Sequence, residues 1–476
     1  MNTVPLTTPS LAMLSDEQCE LIHAASLEIL RRTGVRVYHA EALDLLRASD
    51  AVVTDETLVH LPPGLVEWAL DQAPSRIALC QRGSGEVAAD LHGTHVSLGT
   101  GSDCPYYLDP RTGERRRFTT ADLIDCIHLV DAIPELSFCM SMGIPVDSGG
   151  ISPYRRQFAL MIEHTEKPIV FVCNDRADCE AIVAMAATVA GGITSLRLNP
   201  NLLLYSEPST PLRQSETATG KLLYMAEQCL PVVHSPAPMM GGTAPVTLAG
   251  GLALGNAEVL SGLVIHQLKH PGAPFVYGQG LHHMDMQTSI SVYGAPEFQL
   301  ARVLVAQMGR HYHLPTWGYA GHSDSCVMDA QAAADAAFSV MVALLTGTNL
   351  VHDVGYLEAG MTTSPEMVVF TADQINQMRF FMDGVSLDAE HLALDVIEQV
   401  GPGGDFLTHD HTLRHFRNQW RPALYSRQRY DDWVATGARS AQDRLRDRTL
   451  ALIEAHRPPE LDGRIKQEIE AILRAG

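Results

Sequence analysis

The sequence predicts an α/β fold, a (β/α)8 TIM barrel with an N-terminal and a C-terminal helical extension. The first observation is a set of eight short apolar runs: His95–Gly101, Ser137–Gly143, Pro168–Asn174, Leu202–Glu207, Pro231–Ser235, Pro274–Gln279, Leu314–Gly321 and Asn349–Asp353. Runs without polar alternation fit strands of a parallel sheet covered on both faces. The second is their spacing. Each run is followed by a helix-like stretch, and the runs recur at intervals of about 30 to 43 residues, which is the length of a strand-plus-helix unit; eight such units suggest a closed barrel. The third is length: 476 residues leave about 200 beyond a barrel of usual size. Chemistry is then expected at the carboxyl ends of the strands.

The elements follow in order. Residues 1–90 read as a helical cap and hairpin. Ser15 with Asp16 and Glu17 opens a helix, Leu21, Ile22, Ala25, Ile29 and Leu30 form its stripe, and Gly34 ends it. Shorter amphipathic pieces follow at 40–47 and 63–71. Residues 77–91 alternate around Gly83-Ser-Gly and predict a hairpin closing the barrel bottom. The barrel is expected over 91–385, with Thr120 capping a helix over 121–133 and Asp329 preceding an alanine-rich helix over 330–345. Residues 386–476 form the C-terminal helical extension. Gly401-Pro-Gly-Gly breaks it, 412–417 and 430–455 are expected as helices, and Pro458-Pro459 precedes a last one over 463–473.

Composition narrows the function. The formal charge of −21 argues against a nucleic-acid surface and an anionic membrane face. Nine scattered cysteines without a C-x-x-C pair read as reduced thiols of a cytoplasmic protein. The N-terminus lacks the basic and apolar regions of a signal peptide. The apolar stretch 247–268 is interrupted by glycines, Asn256 and Glu258, and does not read as a membrane span. No G-x-G-x-x-G, P-loop, H-E-x-x-H or G-x-S-x-G occurs, so nucleotide-binding, metalloprotease and α/β-hydrolase readings lack their signatures.

The strand ends carry the candidate residues. Tyr106, Tyr107, Tyr205, Tyr277, Trp317, Tyr319 and Tyr356 gather there although aromatics make up only 6% of the chain. They fit a cage for a quaternary ammonium group, or tyrosines placed at a rim that is apolar on one side and wet on the other. Asp103, Asn174, Glu207, Gln279, Asp324, Asp353 and Glu358 could complement a cation or pair at the rim; Glu207 stands at a clean strand terminus before Pro208. Period-2 alternation puts Phe275, Tyr277 and Gln279 on one face, and His352 and Asp353 on opposite faces unless the strand has ended. Gly99, Gly101 and Gly321 are read as admitting a bulky planar cofactor close to backbone. His409, His411 and His415 have ligand-like spacing, as does His282-His283-Met-Asp285, yet no metal is expected.

The chain resembles the trimethylamine methyltransferase superfamily, corrinoid-dependent enzymes on a (β/α)8 barrel. The resemblance rests on Leu108-Asp-Pro-Arg-Thr-Gly-Glu-Arg, Thr243-Ala-Pro-Val-Thr-Leu-Ala-Gly, Asn256-Ala-Glu-Val-Leu, Pro271-Gly-Ala-Pro, Tyr319-Ala-Gly-His-Ser-Asp-Ser, Asp329-Ala-Gln-Ala-Ala, Leu350-Val-His-Asp-Val-Gly-Tyr-Leu-Glu-Ala-Gly and His411-Thr-Leu. Founding members carry pyrrolysine; this chain has none, and His322 falls near that position. The resemblance then implies a glycine betaine-like quaternary amine as methyl donor, whose leaving group is a neutral tertiary amine. It also implies a corrinoid carried by a small partner protein, and a homo-oligomer. In this reading Glu207, His322, His352 and Asp353 are the catalytic set. Asp103, Tyr106, Tyr205, Tyr277, Gln279, Trp317, Tyr319, Tyr356 and Glu358 bind substrate, with Gln279, His322 or His352 able to hold a substrate carboxylate. Two other readings stay open: a metal-dependent lyase or aldolase using His352, Asp353 and Glu358, and a non-catalytic quaternary-amine-binding protein.

Overall fold

The computed structural model describes residues 9–150 and 152–475; residues 1–8 of the N-terminal reading lie outside the described residues. Every apolar run overlaps a strand: β1 (Ser97–Thr100), β2 (Leu136–Phe138), β3 (Ile169–Phe171), β4 (Leu202–Ser206), β5 (Val232–His234), β6 (Phe275–Val276), β7 (Trp317–Tyr319) and β8 (Leu350–Val354). All five residues of β8 are buried, as expected of strands covered on both faces. The strands form two four-stranded parallel sheets, in the orders β3-β4-β5-β6 and β7-β8-β1-β2. Leu204 pairs with Val232 in the first and Trp317 with Leu350 in the second. Single parallel bridges, Cys139 to Ile169 and Tyr277 to Thr316, join the edges of one sheet to the edges of the other.

A helix follows each strand: α1 (Thr120–Ala132), α2 (Pro153–His164), α3 (Arg176–Ala190), α4 (Glu216–Gln228), α5 (Leu248–Lys269), α6 (Pro296–His311), α7 (Ala330–Thr346) and α8 (Pro365–Met382). Their ends follow capping chemistry. The N-cap of α1 is Thr119, one residue before the expected Thr120, because Thr119 and Asp122 form the reciprocal capping box; Thr120 instead hydrogen-bonds Asp147 at 2.8 Å. Asp329 caps α7 and Gly347, in the left-handed region, ends it. Helix α5 has the length and apolarity to cross a membrane, yet most of it is buried inside the fold. Its glycines explain the close fit: a Cβ on Gly262 would strike the His234 ring, and one on Gly255 would strike Gln279.

The hairpin expected at 77–91 is present as Ile77–Cys80 paired with Val87–Leu91. The Cys80 amide donates to Pro200 O and the Arg82 amide to Glu166 O, both at 2.8 Å, just ahead of β4 and β3. Ile77, Leu79, Ala89 and Leu91 pack in one cluster with Phe138, Val170, Leu203 and Val276. The hairpin therefore stoppers the amino ends of the strands. At the other terminus the helix expected over 430–455 is broken into Tyr430–Ala435 and Ala441–Ala455, because Gly437 takes φ +98° between them. Helices Ala441–Ala455 and Gly463–Ala475 return to pack on α1, α8, α2 and α3.

Candidate active site

Alternation along the strands builds the site in layers. The innermost layer holds Phe138, Val170, Leu203, Val233, Val276, Trp317 and Leu350. Two residues further along β4, β7 and β8 come Tyr205, Tyr319 and His352, and two beyond Tyr205 comes Glu207. The His352 imidazole stacks on Trp317 with centroids 4.3 Å apart, and lies 4.3 Å from Tyr319 and 5.8 Å from Tyr205. Tyr205 O–H reaches Glu207 Oε2 at 3.4 Å. The connection from β6 to α6 adds Tyr293 and the first turn of α6 adds Phe298, the two stacked at 4.9 Å, and His322 packs edge-on to both at 5.3 Å. Tyr356 donates to Ser102 O and stands beside Tyr293 across Gly360.

β8 departs from simple alternation. Its register against β1 shifts between Val351 and Val354, and Asp353 takes φ +81°. A bulge of this kind re-aims side chains. It brings His352 Nδ1 and Asp353 Oδ1 to 2.8 Å, although the two are not aligned as a hydrogen bond. Both His352 nitrogens, Asp353 Oδ1, His322 Nδ1 and Trp317 Nε1 are buried and unpartnered. Polar groups left in that state are costly, so this cluster has capacity to spare for a ligand.

Two carboxylates and one guanidinium flank the aromatic cluster. Glu207 and Asp103 remain reachable by water yet are closely walled by protein. Burial pushes the Glu207 carboxyl up to about 7, against a smaller lowering by Tyr205, and raises Asp103 as well. Burial holds His322 down at about 4, so it is neutral. Arg302 lies over the Tyr319 and Phe298 rings, 4.7 and 4.5 Å from their centroids. It donates to Gln279 O at 2.9 Å and to Leu281 O. Burial lowers its pKa to about 10, which leaves it charged near neutrality. Tyr293, Phe298 and Arg302 escaped the sequence reading because they sit on a loop and the helix after it; the one available signal was an arginine on the apolar side of α6.

Several expected site residues lie elsewhere. Tyr277 and Gln279 do share a face, but it is the outward one, since Val276 fills the interior. Tyr277 O–H donates to Asn256 Oδ1 at 2.8 Å and its ring meets Tyr312 edge-on at 5.6 Å; Gln279 faces Leu252 and Gly255 of α5. Tyr106 is covered by the Arg115 guanidinium at 3.5 Å. Glu358 pairs with that same arginine at 2.7 Å and accepts from Thr362, so it does not join His352 and Asp353 as a ligand set. Trp317 is 1% exposed and forms the floor beneath His352. The space beside Gly99 is filled by Phe138, beside Gly101 by Tyr356 and Asp353, and beside Gly321 by Thr371 and Val354; these glycines admit neighbouring protein and leave no slot for a cofactor. Tyr277→Phe is accordingly expected to cost about 1 kcal/mol of stability through its lost hydrogen bond and to leave ligand affinity unchanged, as thermal melts and calorimetry would show.

A cluster of aromatic side chains with two carboxylates and unpaired imidazole nitrogens is suited to a small organic cation. The family profile described as trimethylamine methyltransferase (MTTB) matches residues 1–474. Trimethylamine methyltransferase MttB of Desulfitobacterium hafniense DCB-2 is 30% identical over 97% of this chain and 93% of its own. Glycine betaine methyltransferase of D. hafniense Y51 is 31% identical over 98% and 97%. Among solved structures, the hydroxylamine complex of MtmB aligns over 93% of this chain and 89% of its own at 11% identity, with a TM-score of 0.49. The chain belongs to the trimethylamine methyltransferase family.

Proposed function

We propose that this protein moves a methyl group from a glycine betaine-like quaternary amine to a corrinoid carried by a partner protein. The observation that carries the reading is the clustering of Tyr205, Tyr293, Tyr319, Tyr356 and His352 beyond the innermost layer, with the Glu207 and Asp103 carboxylates beside them. The two parallel sheets and their joining bridges are read as one closed (β/α)8 barrel, with residues 1–90 and those beyond 385 as helical additions. Barrel enzymes place their sites at the carboxyl ends of the strands, where this cluster lies.

The aromatic faces attract the methylated ammonium, and the two carboxylates balance its charge. Trp317 supports His352 from below, and the Asp353 carboxylate lies alongside the imidazole. Enclosure by the tyrosines orients one N–CH3 bond toward the opening and keeps water from it. As the C–N bond breaks, its electron pair stays with nitrogen and the leaving group is a neutral amine, so no proton donor is required. A reduced corrinoid supplies the nucleophile that accepts the methyl group. The residues fit such a group as something brought in and kept by the partner: the glycine spaces at the strand ends are filled, while Glu207 stays reachable from outside. The nine cysteines are free thiols, in keeping with a cytoplasmic setting.

Calorimetry with glycine betaine and tetramethylammonium tests the cage. Tyr205→Leu and Tyr319→Leu are each expected to weaken binding by about tenfold, and methyl transfer to free reduced cobalamin should fall in step. Unchanged affinity in both variants overturns the cage; binding without transfer would mark a non-catalytic binding protein.

A further inference from the structure

We infer that Glu390, His411 and His415 form a zinc-class metal site that staples the segment between α8 and helix Ala441–Ala455. Ligand atoms of these three side chains lie within 4.8 Å of one another. His411 and His415 stand one turn apart on helix Asp410–His415, so both imidazoles leave the same face, with ring centroids 4.4 Å apart. Glu390 comes from a separate helix, Ala389–Leu392, and an ion bound here would tie two pieces together. Two imidazoles and a carboxylate are a borderline donor set that suits Zn2+.

The surroundings allow it. Arg414 and His415 both hydrogen-bond Glu390 Oε1, at 2.9 and 3.0 Å, while Oε2 carries no hydrogen bond among the described residues. The arginine can keep one oxygen as the ion takes the other. His391 is a source for a fourth ligand: its ring lies 5.3 Å from that of His415. Its Nδ1 is held by Asp388 at 2.7 Å, the carboxylate–imidazole arrangement that supports metal-ligating histidines. Asn418 Nδ2 sits 3.4 Å from His415 Nδ1; turned over, its Oδ1 would accept the Nδ1 proton of a metal-bound imidazole.

A second observation says why a staple is needed. Between 383 and 444, Leu424 is the one fully buried apolar side chain among the described residues. The helices between 383 and 440 span only three to seven residues, while Leu394, Leu407 and Leu413 are exposed. A segment with so little core needs another source of order, and a bound ion supplies one. The site is remote from the aromatic cluster. Near the end of α8, Arg379 donates to Val96 O and Asn376 to Glu135, residues that immediately precede β1 and β2, so this segment lies at the stoppered end. The role is structural and separable from methyl transfer.

The test uses full-length protein purified without a histidine tag, incubated with excess ZnCl2 and passed over chelating resin. Elemental analysis is expected to find about one zinc per chain. His411→Ala/His415→Ala should retain less than about a tenth of that. Limited proteolysis should cut within 383–440 about tenfold faster in stripped or doubly substituted protein, while cleavage elsewhere and quaternary-amine affinity stay constant. No retained zinc in the wild type, or equal retention in the double variant, overturns the site and leaves an Arg414–Glu390–His415 ion-pair cluster. Zinc retained without any change in proteolysis overturns the staple.

Discussion

Glu207→Gln is expected to weaken binding of a quaternary ammonium ligand roughly 10- to 100-fold and to remove most of its pH dependence. The substitution keeps the shape of the side chain and an oxygen for the Tyr205 hydroxyl, and deletes only the charge. In the wild type, burial and then the neighbouring Asp103 push the Glu207 carboxyl up to about 7, with Tyr205 and Lys221 pulling the other way. Below that pH the group is neutral and offers a permanent cation little. Affinity should therefore rise as pH climbs through about 7 and level off above it. Linkage works in both directions: the cation lowers the carboxyl pKa, so binding near neutrality releases protons, visible as a buffer-dependent heat. The empty enzyme shows the complementary sign. An acid raised from 4.5 to about 7 by folding contributes stability below pH 4.5 that is lost as pH rises through about 7, and the ligand should offset that loss. Equal affinity in Glu207→Gln, or wild-type affinity that improves toward acid pH, would remove this carboxylate from the site.

Trp317→Ala is expected to destabilise the fold by about 3–5 kcal/mol and to abolish ligand binding in whatever remains folded. The indole is among the largest fully buried side chains. It fills the interior beside Phe138, 6.3 Å centroid to centroid, carries His352 at 4.3 Å and touches Tyr205 at 5.5 Å. Its loss opens a cavity directly beneath the imidazole. Trp317→Phe separates the two effects: a smaller ring restores most of the packing but leaves the floor thinner, so the melting temperature should recover further than the affinity. A variant that melts low yet binds normally would show that the floor supports the fold alone.

The eight strands were legible because each is an apolar run, Tyr205, Glu207, Tyr319 and His352 because they stand in the last residues of such runs, and Tyr356 because it follows one. Parity along β6 was also legible, but not which parity faces inward. Val276 and Tyr277 are equally suited to burial; what decides is α5, whose glycines bring it so close that Tyr277 can reach Asn256. At β8 the alternation rule itself failed. The register shift and the positive φ at Asp353 are backbone events that no side-chain pattern announces. The covering of Tyr106 and the neutralisation of Glu358 have one cause, Arg115, which arrives from an adjoining strand pair. Tyr293 and Arg302 lay outside any strand end and were missed for that reason.

The hairpin seated under the strands has a kinetic corollary for the proposed reaction. On the proposed barrel reading the base is closed, and amine, methyl acceptor and demethylated product would share one doorway at the carboxyl ends of the strands. The amine has to enter before the acceptor's carrier sits down, and the product leaves only after the carrier lifts away. Such traffic is compulsorily ordered, and a large excess of carrier should slow turnover by occupying the doorway before the amine arrives.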